Sequence, residues 1–365
     1  MPQPAPHREP FGSTPDGRPV DLWRLESASG VSAEILTYGG ILHRLSVPDA
    51  AGHSRSVVLS LPDAAAYAAP GPYFGALVGR FANRIADGRF SIDGQSHQVP
   101  ANDQGHTLHG GPEGFDSRHW LAEPAEDRAA LRLTLLSPDG DMGFPGALSV
   151  SVRYALDEAG TLSVAFEAVT DRPTVVNLTN HAYFNLGGAG SGDVLGHLVE
   201  VDAAHYLPVA PDAIPFGPLQ AVAGTPFDLT RARQVGEAIA AEDQQLKNAG
   251  GFDHCWVLRP AAEPGALRPA ARLSDPASGR VLQVWTTEPG VQVYTANRLD
   301  GTLADADGHR HPRHGGICLE TQHLPDSPNR PEYPSTVLRP GERFTSRTEF
   351  RFPHLSQARP EPADG

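Results

Sequence analysis

The chain has 365 residues, 39% of them hydrophobic, enough to bury a large core, which excludes a disordered or fibrous protein. Acidic side chains outnumber basic ones by 43 to 29, a formal net charge of −14 that argues against a nucleic-acid backbone or an anionic membrane surface as partner. The 38 glycines and 35 prolines fall mostly between short apolar runs, which suits a fold of many turns.

Residues 1–10 hold no apolar core for a leader and are expected to be a flexible N-terminus. Residues 20–26, 31–37 and 41–47 are short β-rich runs, with Gly39-Gly40 separating the last two. Residues 130–136, 147–156 and 161–169 continue the pattern, and Asp157-Glu158-Ala159-Gly160 reads as a tight hairpin turn. Residues 229–241 are the best helical candidate, short and peripheral. Residues 259–269, rich in Ala, Pro and Gly, read as an inserted loop. Strand signals resume at 281–287, 291–297, 316–321 and 344–352, interrupted by a polar, His-rich surface loop at 301–313. Residues 355–365 are expected to be a flexible tail. No interdomain linker is visible. The expectation is an all-β protein with one large antiparallel β-domain over 11–354, whose long loops build a site.

Other classes fall away. No stretch approaches the roughly 20 apolar residues of a spanning helix. The only cysteines, Cys255 and Cys318, are too few for a disulfide framework and favour a cytoplasmic setting with reduced thiols. There the sequon at Asn177-Leu178-Thr179 has no bearing. Strand parity makes a further prediction. Cys255 lies two residues after Asp253 and Cys318 two before Glu320, so in extended strands each shares a face with its neighbour.

Five segments concentrate ionisable, amide and glycine residues beside strand signals: 79–85 (GRFANRI), 106–111 (HTLHGG), 177–186 (NLTNHAYFNL), 251–254 (GFDH) and 318–322 (CLETQ). Together they supply imidazoles, carboxylates, arginines and amides, the inventory for acid–base work on a polyhydroxylated ligand. No Gly-rich phosphate cradle or dinucleotide fingerprint opens a helix after a strand, so no cofactor is implied. His106 with His109, or His309, His311 and His314, invite a metal reading, but their spacings match no recognised ligand set. The acidic run 305–308 is too incomplete for a calcium loop.

These blocks, with 288–297 (EPGVQVYTAN) and 319–326 (LETQHLPD), resemble the signature blocks of the aldose 1-epimerase (galactose mutarotase) family, in order and over nearly the whole chain. The resemblance implies a large antiparallel β-sandwich with a sugar in an open cleft. It implies a free aldohexose as substrate, interconverted between α and β anomers without metal or cofactor, by a monomer or homodimer. By motif position Glu320 is the base and His181 the acid. His109 would bind the sugar and polarise its ring oxygen. Asn83, Arg84, Asp253 and Gln292 would hold hydroxyls, with Tyr183 nearby, and Arg80 competes with Arg84 for its role. If the block is extended, His181 and Tyr183 point to one face.

Each residue has an ordinary reading too. A glutamate at a strand end is usually solvated, and a histidine is more often structural than catalytic. His109 could be a turn residue, and Arg84 or Asp253 an ion-pair partner; only the blocks tip them toward function. Three rival functions follow from the same inventory. A hexose 6-phosphate epimerase would want extra cations at one side of the site. A glycoside hydrolase would use Asp253 and Glu320 as its carboxyl pair. A silent sugar-binding protein would have lost the acid or the base.

Overall fold

In a computed structural model, residues 4–125 and 129–353 are described. Three antiparallel sheets carry the fold, and their strand orders explain its shape. The first is a five-stranded meander: His7–Ser13, Pro19–Glu26, Ser32–Leu36, Leu42–Pro48 and Ser54–Ser56. The second has nine strands, ordered Leu121–Pro124, Ala130–Ser137, Leu148–Leu156, Leu162–Thr170, Phe344–Arg351, Val281–Thr286, Arg268–Ser274, Leu198–Val201 and Arg233–Gln234. The third has six, ordered Tyr183–Phe184, Ile317–Gln322, Gly290–Tyr294, Asp253–Leu258, Ala203–Tyr206 and Gln220–Ala221.

Side-chain alternation decides which faces meet. In Leu148–Leu156 every second residue is buried, so one face packs inward and the other meets solvent. Leu25 and Ile35 of the first sheet, Leu133 and Val152 of the second, and Trp256, Val293 and Leu319 of the third join one continuous core. At about 25 cal/mol per Å² of apolar surface, each such side chain contributes on the order of 1.5–3 kcal/mol. Ile317–Gln322 departs from alternation: all six residues are buried. Ile317 and Leu319 enter the core, so Cys318, Glu320 and Gln322, which alternate with them, are buried on the opposite face. That face forms the floor of the site.

The strands expected from the sequence are present within one or two residues of their anticipated ends, except that the strand begun at 291–297 runs Gly290–Tyr294. The hairpin at 157–160 closes with Leu156 opposite Leu162 and Gly160 in the left-handed region at φ 91°. Four expectations need correction. His7–Ser13 is an edge strand in register with Pro19–Glu26, so the ordered chain starts before residue 11. Only Val235–Ile239 of 229–241 is helical, because Arg233–Gln234 give their backbone to the edge of the nine-stranded sheet. The loop at 259–269 ends early, since Arg268 already pairs with Thr286. The loop at 301–313 is not all surface: His311 is buried and bonds the Ser60 carbonyl. The expected tail at 355–365 lies outside the described residues. Among the described residues no helix is long and apolar enough to cross a membrane.

Candidate active site

Register in the six-stranded sheet assembles the floor of the site. Tyr183 stands opposite Cys318, Cys318 opposite Tyr294, and Tyr294 opposite Asp253, so four strands present one cross-strand row on one face. Two residues along, Glu320 stands opposite Gln292 and Gln292 opposite Cys255, a second row on the same face. Both cysteines therefore share the face of Glu320 and Asp253, as parity predicts, and both are buried free thiols.

Loops from outside this sheet build the wall. Arg84–Ile85 pairs with Thr107–Leu108, bringing Asn83 against His109. The Asn83 N–H donates to His109 Nδ1 at 3.1 Å and the His109 N–H to the Asn83 carbonyl at 3.1 Å. A neutral imidazole that accepts at Nδ1 carries its proton on Nε2, free to donate elsewhere. Gly110 follows at φ 90°; a Cβ there would lie 2.1 Å from the Gly79 carbonyl oxygen, so the close approach of these loops requires glycine. Tyr73, Asn83 and His109 all hold φ between 53° and 63°, a left-handed backbone that costs non-glycine residues of order 1 kcal/mol or more each. Such strain gathers where a site overrides local preference.

Loops and floor enclose a cavity of about 440 Å³. Seven of the eight residues singled out from the sequence line it: Asn83, Arg84, His109, His181, Tyr183, Asp253 and Glu320. Gln292 does not line it. It lies beside the cavity and donates from Nε2 to Asp253 Oδ1 at 2.8 Å. Arg80 is settled otherwise: it is buried and donates to the carbonyls of Ser137, Pro138, Pro145 and Gly146, a structural anchor. Arg84 is held by Asp103, with Nε at 2.9 Å and Nη2 at 2.8 Å from one carboxylate oxygen.

The centre is the pair His181 and Glu320. Nε2 of the histidine lies 3.6 Å from Oε2 of the glutamate, and both side chains are almost wholly buried. Glu320 Oε2 has no hydrogen-bond partner among the described residues, leaving an acceptor for a substrate hydroxyl. Burial pushes Glu320 well above the usual carboxylate range, and the nearby Asp253 charge adds to this while Arg84 opposes it. Burial pulls His181 down to about 4. Both groups are thus driven toward their neutral forms. His181 is held between two aromatic rings, Tyr183 at 5.1 Å and Tyr73 at 5.8 Å, and meets the edge of His109 at 5.1 Å.

Tyr73, Arg298 and Asp300 also line the cavity and none stands out from the sequence, while Tyr294, which lines it too, belongs to the 288–297 block without an assigned role. Tyr73 follows Pro70-Gly71-Pro72, which reads as an ordinary turn; only its packing on both histidines gives it away. Ligating atoms of His109, His181 and Glu320 all lie within 4.8 Å of one another, so a divalent ion could compete for them. The other histidines considered for a metal are separately engaged: His106 accepts from the Asp87 N–H, His309 faces Asp305, and His314 bonds the Thr295 carbonyl.

A sandwich of antiparallel sheets, a polar aromatic-lined cavity, and a buried imidazole and carboxyl in mutual reach make a site suited to acid–base chemistry. Residues 21–351 match the sequence model of the aldose 1-epimerase family. The galactose mutarotase of Rattus norvegicus is 42% identical over 346 residues, covering 94% of this chain and 98% of that one. The aldose 1-epimerase of Escherichia coli K12 is 38% identical over 340 residues, 93% of this chain and 96% of that one. The crystal structure of galactose 1-epimerase from Lactobacillus acidophilus superposes with a TM-score of 0.84 at 30% identity, covering 96% of this chain and 98% of that one. The chain belongs to the aldose 1-epimerase family, isomerases that interconvert the α and β anomers of aldoses.

Proposed function

We propose that the cavity binds a free aldohexose such as galactose, with Glu320 as the base at the anomeric hydroxyl and His181 as the acid at the ring oxygen. The observation that carries this reading is the 3.6 Å approach of His181 Nε2 to Glu320 Oε2 at the buried end of the cavity. The two reacting oxygens sit on one carbon, so their acid and base must lie close together on one side of the sugar. Glu320 removes the proton from the anomeric hydroxyl as His181 protonates the ring oxygen, and the bond from anomeric carbon to ring oxygen breaks. Rotation about the bond to the neighbouring carbon turns the other face of the aldehyde toward the returning oxygen. In reclosure Glu320 returns its proton to the carbonyl oxygen while His181 takes one from the attacking hydroxyl, giving the other anomer.

The remaining residues hold the ring. His109 Nε2–H is free to donate to the ring oxygen, because Nδ1 is occupied by the Asn83 N–H. Arg84, Asn83 and Asp253 supply donors and an acceptor for hydroxyls, with Gln292 fixing Asp253 from behind. Among the described residues the only lysine or arginine side chains on the cavity wall are Arg84 and Arg298, and both face Asp103. With Asp253 and Asp300 on the same wall, a sugar phosphate dianion would be repelled, which favours the unphosphorylated sugar. The His181–Glu320 contact likewise favours epimerisation over a hydrolase built on Asp253 and Glu320. Polarimetry of freshly dissolved α-galactose should show rotation relaxing faster with catalytic amounts of the protein. An unaltered relaxation rate with galactose, glucose, xylose and arabinose overturns the proposal.

A further inference from the structure

The face that carries Glu320 also carries a side chain that touches the proposed acid from behind. Cys318 Sγ lies 3.6 Å from His181 Nδ1, the nitrogen directed away from Glu320. We propose that Cys318 is a positioning residue for the epimerase reaction. Its sulfur accepts the Nδ1 proton of His181 and leaves Nε2 as the nitrogen that exchanges a proton with the ring oxygen. This rests on the assignment of His181 as the acid given above.

The argument starts from the tautomer problem. A neutral imidazole carries its proton on either nitrogen, and a histidine that gives up its Nε2 proton must keep the one on Nδ1. Something must therefore accept at Nδ1 throughout the cycle. Tyr73 and Tyr183 stack on the ring, and an acceptor for the Nδ1 proton must lie in the ring plane. The His181 carbonyl, which also takes the Gly75 N–H, has a second lone pair and is a backbone acceptor for the ring as well. Among the described residues Cys318 is the side-chain acceptor at Nδ1, and its strand holds it in place. It is wholly buried, in register with both Tyr183 and Tyr294, and packs against Tyr183 in a small apolar cluster.

A thiol at this point does something a carboxylate would not. Negative charge against Nδ1 would stabilise the imidazolium and make Nε2 a poorer proton donor. Burial, with the charges of Glu320 and Asp253 adding to it, holds the Cys318 thiol well above its ordinary range, so it stays neutral. A neutral sulfur fixes the tautomer while leaving the imidazolium acidic. The three-residue stretch from Cys318 to Glu320 thus carries both the base and the group that aims the acid.

The test compares Cys318→Val, close in size without an acceptor, Cys318→Ala, and Cys318→Ser, which keeps a polar acceptor. Turnover and KM for galactose are measured across pH, with thermal melting to establish folding. Expected are a roughly tenfold or larger loss of kcat in Val and Ala with KM within about twofold, and substantial recovery in Ser. The acid limb of the pH profile should move to lower pH in Val and Ala, because the imidazolium loses a partner. Unchanged kcat in Val and Ala, or a Ser variant as impaired as Val, overturns the inference. Should the variants not fold, histidine ¹⁵N resonances of the wild-type protein decide: a neutral His181 protonated at Nδ1 supports the inference, and one protonated at Nε2 refutes it. His181→Asn separates the two layers. If that variant turns over normally the acid assignment fails. If it is inactive while the Cys318 variants are unaffected, only this inference fails.

Discussion

Replacing Glu320 by Gln preserves the side chain's size and removes its basicity. What remains near the anomeric hydroxyl sets the size of the loss. Asp253 is the other carboxylate on this face of the sheet, but it lies two strands away and one row along. With inter-strand spacings of about 4.8 Å and about 3.4 Å per residue, its Cα is about 12 Å from that of Glu320. It is also engaged by the Gln292 amide at 2.8 Å. It cannot take over without the sugar moving, so the loss should fall in the upper part of the usual 10²–10⁴-fold range for general-base catalysis, up to about 5.5 kcal/mol of barrier. Stability should go the other way. The folded state holds Glu320 above its unfolded value of about 4.5, so the native carboxyl costs stability once pH exceeds that value. The Gln variant should therefore match or exceed the wild type in denaturant midpoint at neutral pH, with the advantage vanishing below about pH 4. Polarimetry of α-galactose gives the rate and urea melts at two pH values give the stability. A well-folded Gln variant with near-wild-type turnover would falsify the base assignment.

His181→Asn should lower kcat by a similar order with less change in galactose affinity, and it should leave an acid limb set by Glu320 alone, at higher pH than in the wild type. In the wild type the acid limb is expected near pH 4, because burial lowers the imidazole, with activity falling below it as the pair gains a second proton. A loss of affinity alone would make His181 a binding residue. Gln292→Met removes the amide that holds Asp253 and should raise KM roughly tenfold with kcat changed little; an unchanged KM refutes the positioning role. Exhaustive chelation should leave activity intact, and added zinc should inhibit by occupying His109, His181 and Glu320; activity lost on chelation and restored by zinc reverses this. Thiol titration of the native protein should be slow for both buried cysteines and slower still with galactose; fast labelling unaffected by sugar would contradict their place beneath the cavity.

The sheets were legible because their strands are short, alternating and bounded by glycine, proline or Asx turns, as in Leu148–Leu156 and its hairpin partner. The edge strands were not, because His7–Ser13 and Arg233–Gln234 have one partner each and no apolar stripe; pairing rather than pattern makes them strands. The site was legible as a set of residues and less so as roles. In the block 177–186, Asn177, Asn180 and Asn185 spend their amides on the Ala82, Gly75 and Gly315 carbonyls, so its polar density is mostly scaffold around His181 and Tyr183. Gln292 and Arg80 showed the same ambiguity, one holding Asp253 and the other holding loops. Tyr73 was invisible because a turn carries it, and only tertiary packing puts its ring on His181. Strand parity was the one local rule that reached into the site, since it placed both cysteines correctly from spacing alone.

Parity matters here because the reaction must run in both directions with the same two groups. Opening the ring needs a carboxylate and an imidazolium; closing it needs their neutral partners. The proton count of the pair is the same in both, so a turnover requires no exchange with solvent. A site that strongly favoured the ion pair would open rings and then hold the aldehyde poorly for reclosure. A site that strongly favoured the neutral pair would seldom be ready to open one. Burial pushes Glu320 and His181 toward neutrality, while their 3.6 Å separation and the Arg84 charge pull toward the ion pair. Each tenfold bias between the two forms is about 1.4 kcal/mol. These opposing pulls act on one shared proton, which the sheet geometry confines between two neighbouring side chains. The bias between the two forms is therefore set by where the fold puts these residues, by their burial, their separation and the Arg84 charge.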